Sequence, residues 1–133
     1  MAATYGITVT LDRPFQQALD DVRAALATQG FGVLTEIDMA ATLKKKLDVD
    51  IAPQVILGAC NPPLAHRALG AEESIGLLLP CNVVVRAAGE HVVVEALDPQ
   101  VMVGVTGNAA LQPVADDAAG RLRAALAALE AGS

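Results

Sequence analysis

The sequence predicts an α+β fold, in which a mostly antiparallel sheet of about five strands carries two longer helices on one face. Several short apolar or alternating runs are bounded by glycine, proline and asparagine, as strands usually are. Two longer segments instead repeat apolar residues at helical spacing, one before Gly30 and one after Asn108. Neither a repeat nor a low-complexity linker divides the 133 residues, so we expect a single domain over 1–133.

A strand, a helix and a second strand follow one another at the beginning of the chain. Residues Tyr5 to Leu11 alternate apolar and polar side chains, which predicts a half-buried strand. Asp12 is placed to cap a helix whose first turn contains Pro14, and Gly30 is placed to end that helix. Val33 to Asp38 then predicts the second strand.

The middle of the chain predicts two short helices around a third strand. Asp38 to Asp50 is amphipathic and carries three consecutive lysines, which favours a short helix. Gln54 to Ala59 is an apolar run that predicts a strand. Asn61 followed by Pro62 is a strong indication that a further helix begins there.

A proline and a hairpin organise the last strands. Leu77 to Ala87 predicts a fourth strand that Pro80 interrupts, because proline has no N–H to donate to a sheet. A turn at Ala88-Gly-Glu90 leads into the fifth strand, His91 to Leu97, so these two strands pair as an antiparallel hairpin. Val101 to Val105 predicts either a further short strand or a packed loop.

Composition and charge exclude several function classes. The formal net charge of −6 repels a polyanion, and aromatic residues make up only 2% of the chain, so we expect no nucleic-acid partner. No uncharged run is long enough to span a bilayer and the N-terminus does not resemble a signal peptide, so we expect no membrane partner. Two cysteines do not make a disulfide scaffold, which favours a cytoplasmic protein of bacterial type with reduced thiols.

Four segments carry a resemblance to a known family. They are Gly30 to Asp38 (GFGVLTEID), Leu43-Lys44, Ile56 to Pro62 (ILGACNP) and Leu77 to Val85 (LLLPCNVVV). With these motifs the chain resembles, over nearly its whole length, the bacterial and archaeal family called domain of unknown function 302. The resemblance implies a TATA-box-binding-protein-like fold, in the order strand, helix, four strands, helix, and it implies a dimer. It brings no activity and no catalytic residues with it.

Both cysteines of the chain lie at breaks in apolar runs, next to proline and asparagine. If the third and fourth strands approach each other, Cys60 and Cys81 can share a soft metal ion such as Cu(I). Met39, Met102 or His66 can then add a ligand. The same two thiols can instead form a reversible disulfide, or they can be inert core residues, since cysteine is often buried without a chemical role.

Two asparagines and three lysines are candidate ligand-binding residues. Asn61 and Asn82 each follow a cysteine, so their carboxamides can point into a shared pocket. Helix capping by Asn61 and a turn or bulge at Asn82 are the alternatives. Lys44, Lys45 and Lys46 form the main basic patch and can clamp an anionic ligand or act as a lid, although such a run is commonly a solvated helix face.

The functional reading follows from these candidates. Glu36 and Asp38 are a carboxylate pair that suits acid–base chemistry, but Asp38 is also a ready helix cap, and no known catalytic motif is present. The leading hypothesis is a module that binds a soft metal, a sulfur species or a small ligand near the two thiols. The alternatives are a thiol-dependent redox enzyme with Cys60 as nucleophile, and a structural protein with inert cysteines. We expect a homodimer that buries an exposed strand edge or the Val101 to Val105 segment.

Overall fold

The structure is a computed structural model that describes residues 3–132. It contains five strands and five α-helices, with short 3₁₀ turns at Glu73–Leu78 and Ala109–Leu111. In chain order the elements are β1 (Gly6–Leu11), α1 (Phe15–Thr28), β2 (Gly32–Asp38), α2 (Met39–Leu47), β3 (Gln54–Cys60), α3 (Pro62–Ala71), β4 (Cys81–Ala88), β5 (His91–Leu97), α4 (Gln100–Thr106) and α5 (Gln112–Ala131).

The five strands form one antiparallel sheet in the order β1-β5-β4-β3-β2. This confirms the predicted class and the order strand, helix, four strands, helix, with α2, α3 and α4 added as short connections. The predicted hairpin is also confirmed, because Val83 pairs with Ala96 and Val85 pairs with Val94 across β4 and β5. Gly89 has a φ of +63° in the turn between them, a conformation that glycine adopts without strain.

Helices α1 and α5 pack together over one face of the sheet and bury an aliphatic core. Alternation along each strand sends every second side chain toward these helices. The most deeply buried members of this core come from all of its layers and include Leu11, Leu57, Val85, Leu122 and Leu126. The prediction of two longer helices on one face is therefore confirmed.

A second, smaller core lies where β3 ends and β4 begins. After Cys60 the chain forms α3 and the 3₁₀ turn Glu73–Leu78 before it re-enters the sheet at Cys81. Helices α4 and α5 pack against this connection. Its buried side chains come from these four elements and from the second 3₁₀ turn: Leu64, Ala68, Ile75, Met102, Leu111, Val114 and Ala118. The two short helices thus create a second apolar layer beside the end of the sheet.

Three local predictions were wrong. Val101 to Val105 is part of helix α4, which buries Met102 in the second core. Its backbone forms helical hydrogen bonds and therefore needs no sheet partner. Strand β4 begins only at Cys81, because the residues before Pro80 form the 3₁₀ turn. Asp12 does not cap α1, whose N-cap position is Pro14; its carboxylate contacts the exposed His91 ring instead.

The edge formed by β2 and the residues after it leaves apolar side chains exposed. No residue of α2 is buried, and none of the strands within residues 3–132 pairs with the outer side of β2. Five large apolar side chains in this region are between 40% and 67% exposed: Leu34, Ile37, Leu47, Val49 and Ile51. Within residues 3–132, no helix is both long enough and apolar enough to cross a membrane.

Candidate functional site

A small cavity lies at the junction of the two cores and is lined by both cysteines. Its volume is about 30 Å³, the space of one or two water molecules. The side chains around it are mainly apolar: Phe31, Ala59, Cys60, Asn61, Leu64, Ala65, Ala68, Leu79, Cys81, Met102, Val114 and Ala118. Three sulfur-containing residues, Cys60, Cys81 and Met102, therefore line one small, partly open cavity.

The sheet register brings the two cysteines together. Ala59 pairs with Cys81 across β3 and β4, so Cys60, the last residue of β3, lies next to the first residue of β4. Both cysteines are free thiols, with Cys81 buried and Cys60 partly buried. Burial and, to a smaller extent, the neighbouring Cys60 raise the pKa of the Cys81 thiol above its ordinary value. Cys81 is accordingly a protonated thiol at neutral pH.

Gly58 allows the strands to approach each other just before this site. A β-carbon at position 58 would lie 2.1 Å from Thr35 Oγ1 and 2.8 Å from Pro80 Cγ, far inside van der Waals contact. Thr35 is the partner of Gly58 on β2, and Pro80 immediately precedes Cys81. The missing side chain at Gly58 therefore sets how closely β2 and the start of β4 flank the cysteine end of β3.

Asn61 is a buried structural residue that lines the cavity. Its Oδ1 accepts a hydrogen bond from the backbone N–H of Leu64 at 3.3 Å, which caps helix α3. Its Nδ2 donates to the carbonyl oxygen of Gln29 at 3.3 Å. Both polar ends of the carboxamide are thus engaged with protein, as the capping alternative predicts.

The beginning of α3 offers the cavity few hydrogen-bond donors. Its first two residues, Pro62 and Pro63, have no backbone N–H, and the N–H of Leu64 already bonds to Asn61. Helix N-termini usually stabilise anions through such N–H groups. Because these donors are absent or occupied, what the cavity offers a ligand is mainly sulfur.

Met102 is the one predicted sulfur or imidazole partner that lines the cavity. It is 3% exposed and projects from α4 into the second core. Neither Met39, on α2, nor the exposed His66, on α3, contributes to the lining. The described residues contain no group of three or more histidine, cysteine or acidic side chains that could hold a metal ion.

Comparisons with known proteins agree with this architecture. Residues 7–129 match the family described as domain of unknown function DUF302. This chain belongs to that family. A crystal structure of an uncharacterized conserved DUF302 protein from Bacillus stearothermophilus is similar to it, with a TM-score of 0.87 and 31% sequence identity over 93% of this chain and 97% of that chain. The search of curated proteins gave no match.

Not all of the predicted site residues of this DUF302 chain lie near the thiols. Asn82 is exposed on β4 and lines a separate, shallow groove of about 390 Å³ on the face of the sheet opposite the long helices. Lys44, Lys45 and Lys46 form the exposed last turn of α2, where Lys44 contacts Asp48 at 2.9 Å and Asp50 at 3.5 Å. Ligand binding by these residues stays a prediction.

The carboxylate pair of β2 has structural partners in this DUF302 domain. Asp38 Oδ1 accepts a hydrogen bond from the backbone N–H of Ala41 at 2.9 Å and so caps α2, as the alternative reading predicts. Glu36 forms an ion pair with Arg23 of α1. Each carboxylate therefore has a role that explains its position without acid–base chemistry.

The DUF302 chain also has a polar groove between α3 and α5 that the sequence did not predict. This open groove has a volume of about 470 Å³ and is lined by Gly30, Asn61, Pro63, Leu64, Arg67, Asp117 and Arg121. Arg67 lies 50 residues from Asp117 along the chain, so no local sequence motif predicts that Arg67, Asp117 and Arg121 form a cluster. Only the packing of α3 against α5 brings these charges together.

Proposed function

We propose that this DUF302 chain binds a single Cu(I) ion, or another soft metal ion of similar size, in the cavity between Cys60, Cys81 and Met102. The observation that carries the proposal is that these three sulfur-containing residues line one small cavity. Thiolates and thioethers are the ligands that Cu(I) prefers, whereas structural zinc sites use four nitrogen, sulfur or carboxylate ligands. A set of two thiols and one thioether therefore favours Cu(I) over zinc.

The size of the cavity favours a metal ion over an organic ligand. Pockets for small organic molecules usually measure about 300 Å³ or more. The cavity lined by Cys60, Cys81 and Met102 has a volume of about 30 Å³, which is an order of magnitude smaller. A space of this size suits a monatomic ion.

Replacing both thiols tests the proposal directly. We expect Cys60→Ala/Cys81→Ala protein to lose stoichiometric Cu(I) binding, because no thiolate ligand remains in the cavity. Native mass spectrometry under anaerobic conditions gives the stoichiometry. Competition with the Cu(I) chelator bathocuproine disulfonate gives the affinity. If the double variant retains one Cu(I) with the affinity of the parent, the proposal is wrong.

Two methionine variants provide a matched comparison. Met102→Leu conserves side-chain volume but removes the thioether, so it should weaken Cu(I) binding at least about tenfold with little loss of stability. Met39→Leu makes the same chemical change outside the cavity and should leave the affinity unchanged. Equal affinities of the two variants would remove Met102 from the proposed ligand set.

We further propose that a second copy of the chain covers the β2 edge and that the protein works in the cytoplasm. An edge strand with exposed apolar side chains favours pairing with the same strand of a second copy about a two-fold axis. Residues 44–50, which follow β2 through helix α2, carry three lysines and two aspartates. The charges of this segment can therefore complement those of the same segment in a copy related by two-fold symmetry. Two free thiols suit the reducing conditions of the cytoplasm.

A charge placed on this edge should separate the copies. We expect the parent to run at twice the chain mass of 13.6 kDa in light scattering coupled to size exclusion, and Leu34→Glu/Ile37→Glu to run at the mass of one chain. Leu77→Glu is the control, since Leu77 is 87% exposed but belongs to the 3₁₀ turn Glu73–Leu78 and not to β2 or α2. A dimer that survives the double substitution would contradict this interface.

A further inference from the structure

The groove between α3 and α5 carries an excess of positive charge. Arg67 and Arg121 both contact Asp117, at 3.5 Å and 2.8 Å, so two guanidinium groups share one carboxylate. The reverse holds at Arg23 and Lys44, each of which contacts two carboxylates. In a chain with a formal net charge of −6, the groove therefore has a local positive charge that can attract an anion.

The two arginines retain hydrogen-bond donors for a ligand. Arg121 uses Nε toward Asp117 and Nη1 toward the carbonyl oxygen of Gln29, and Arg67 uses only Nη1. Within residues 3–132, the remaining guanidinium N–H groups have no protein acceptor. Both side chains are nearly half exposed, so these donors are accessible to a carboxylate that arrives from solvent.

The groove and the thiol cavity share a wall. Asn61 and Leu64 line both spaces, so a ligand held by Arg67 and Arg121 lies directly beside the cavity of Cys60 and Cys81. With about 470 Å³, the groove has the size of sites that bind small organic molecules. The groove is therefore large enough for a tripeptide-sized ligand and adjoins the cavity through Asn61 and Leu64.

We propose that this groove binds the carboxylates of a small anionic thiol that brings Cu(I) to the cavity. The delivery step rests on the proposed Cu(I) function, whereas the anion site does not. In the transfer, each Cu(I)–sulfur bond to the small thiol breaks as a bond to a cysteine thiolate forms. The proton of that cysteine passes to the departing thiolate, and copper stays in the +1 state throughout.

The anion site is tested without metal. S-methylglutathione, whose sulfur is blocked, should bind metal-free protein in calorimetry and shift the backbone amide resonances of Gly30, Leu64 and Arg121. Arg67→Gln/Arg121→Gln should weaken this binding at least about tenfold. Arg123→Gln is the matched control, because Arg123 also lies on α5 and contacts an aspartate, Asp98, outside the groove.

Asp117→Asn should act in the opposite direction. It removes the carboxylate that competes for both arginines, so S-methylglutathione should bind several-fold more tightly than to the parent. Binding that is unchanged in the double arginine variant, or resonance shifts confined to another surface, would overturn the anion site. Thermal unfolding of each variant verifies that the fold is retained.

The delivery step is tested by changing the copper source. When Cu(I) comes as its glutathione complex, the double arginine variant should accept it at least about fivefold more slowly than the parent. When Cu(I) comes from acetonitrile solution, the two proteins should load equally. If the double arginine variant loads as fast as the parent from the glutathione complex as well as from acetonitrile solution, delivery through the groove is overturned. Failure of the parent to load from either source would instead overturn the Cu(I) function and leave the result with S-methylglutathione to decide the groove.

Discussion

An alanine at position 58 should lower the free energy of unfolding by about 1–3 kcal/mol or more. The new β-carbon would meet Thr35 Oγ1 at 2.1 Å and Pro80 Cγ at 2.8 Å. The threonine hydroxyl can rotate away, but the proline ring is rigid, so the strands themselves must separate. Chemical denaturation of the variant and the parent, with equal denaturant dependence of the two transitions, measures the difference.

Gly32→Ala is the matched control for this prediction. Gly32 also lies in a strand of the same sheet, but a β-carbon there meets no atom within 4 Å. We expect a change of less than about 0.5 kcal/mol, as at other unobstructed surface positions. Adding Thr35→Ala to Gly58→Ala should recover part of the loss, because one of the two close contacts disappears. Equal stabilities of Gly58→Ala and Gly32→Ala would contradict the close approach at Gly58.

Alkylation of Cys81 in the metal-free native protein should be at least about tenfold slower at neutral pH than after unfolding. Burial raises the pKa of the Cys81 thiol, and Cys60 adds to the effect, so the folded chain holds less of the reactive thiolate. Mass spectrometry of iodoacetamide-treated Cys60→Ala protein, with and without urea, isolates the Cys81 rate. The raised pKa persists in this variant because burial, its larger cause, is unchanged.

The pH dependence of this effect has a defined sign. Below its pKa, a thiol forms about tenfold more thiolate for each added pH unit, so native labelling should accelerate steadily through pH 7 to 9. The unfolded thiol loses its proton near the ordinary value of 9.0, while the folded one keeps it to higher pH. The contribution of the protonated Cys81 thiol to the free energy of unfolding is therefore fully present below about pH 9, and it is lost as the pH rises toward the pKa of the folded state.

The labelling result also decides between functional hypotheses. A redox enzyme that uses Cys60 as nucleophile and Cys81 as resolving thiol needs Cys81 to attack a disulfide at neutral pH. Native labelling of Cys81 as fast as in urea would favour that enzyme and would contradict the buried, protonated thiol. The Cys81→Ala variant measures Cys60 in the same assay and shows whether one thiol is much more reactive than the other.

The candidate site was only partly accessible from the sequence. The asparagine–proline pair after Cys60 predicted the start of α3, and the capping alternative for Asn61 holds because that signal is local. The grouping of Cys60, Cys81 and Met102 was one of several options, since Met39 and His66 were chemically equivalent candidates. The arginine groove was not predicted at all, because its charges come from helices distant in sequence.

By itself, the sequence determined the class, the sheet-forming segments and the two longer helices, since alternation, helical spacing and turn residues act over a few neighbouring positions. It did not determine that Val101 to Val105 is helical, because a short apolar run suits either structure until its neighbours are known. The tertiary structure decided which sulfur atoms share a cavity and which arginines share an aspartate. Those pairings depend on strand register and helix packing, which bring together residues that no local pattern connects.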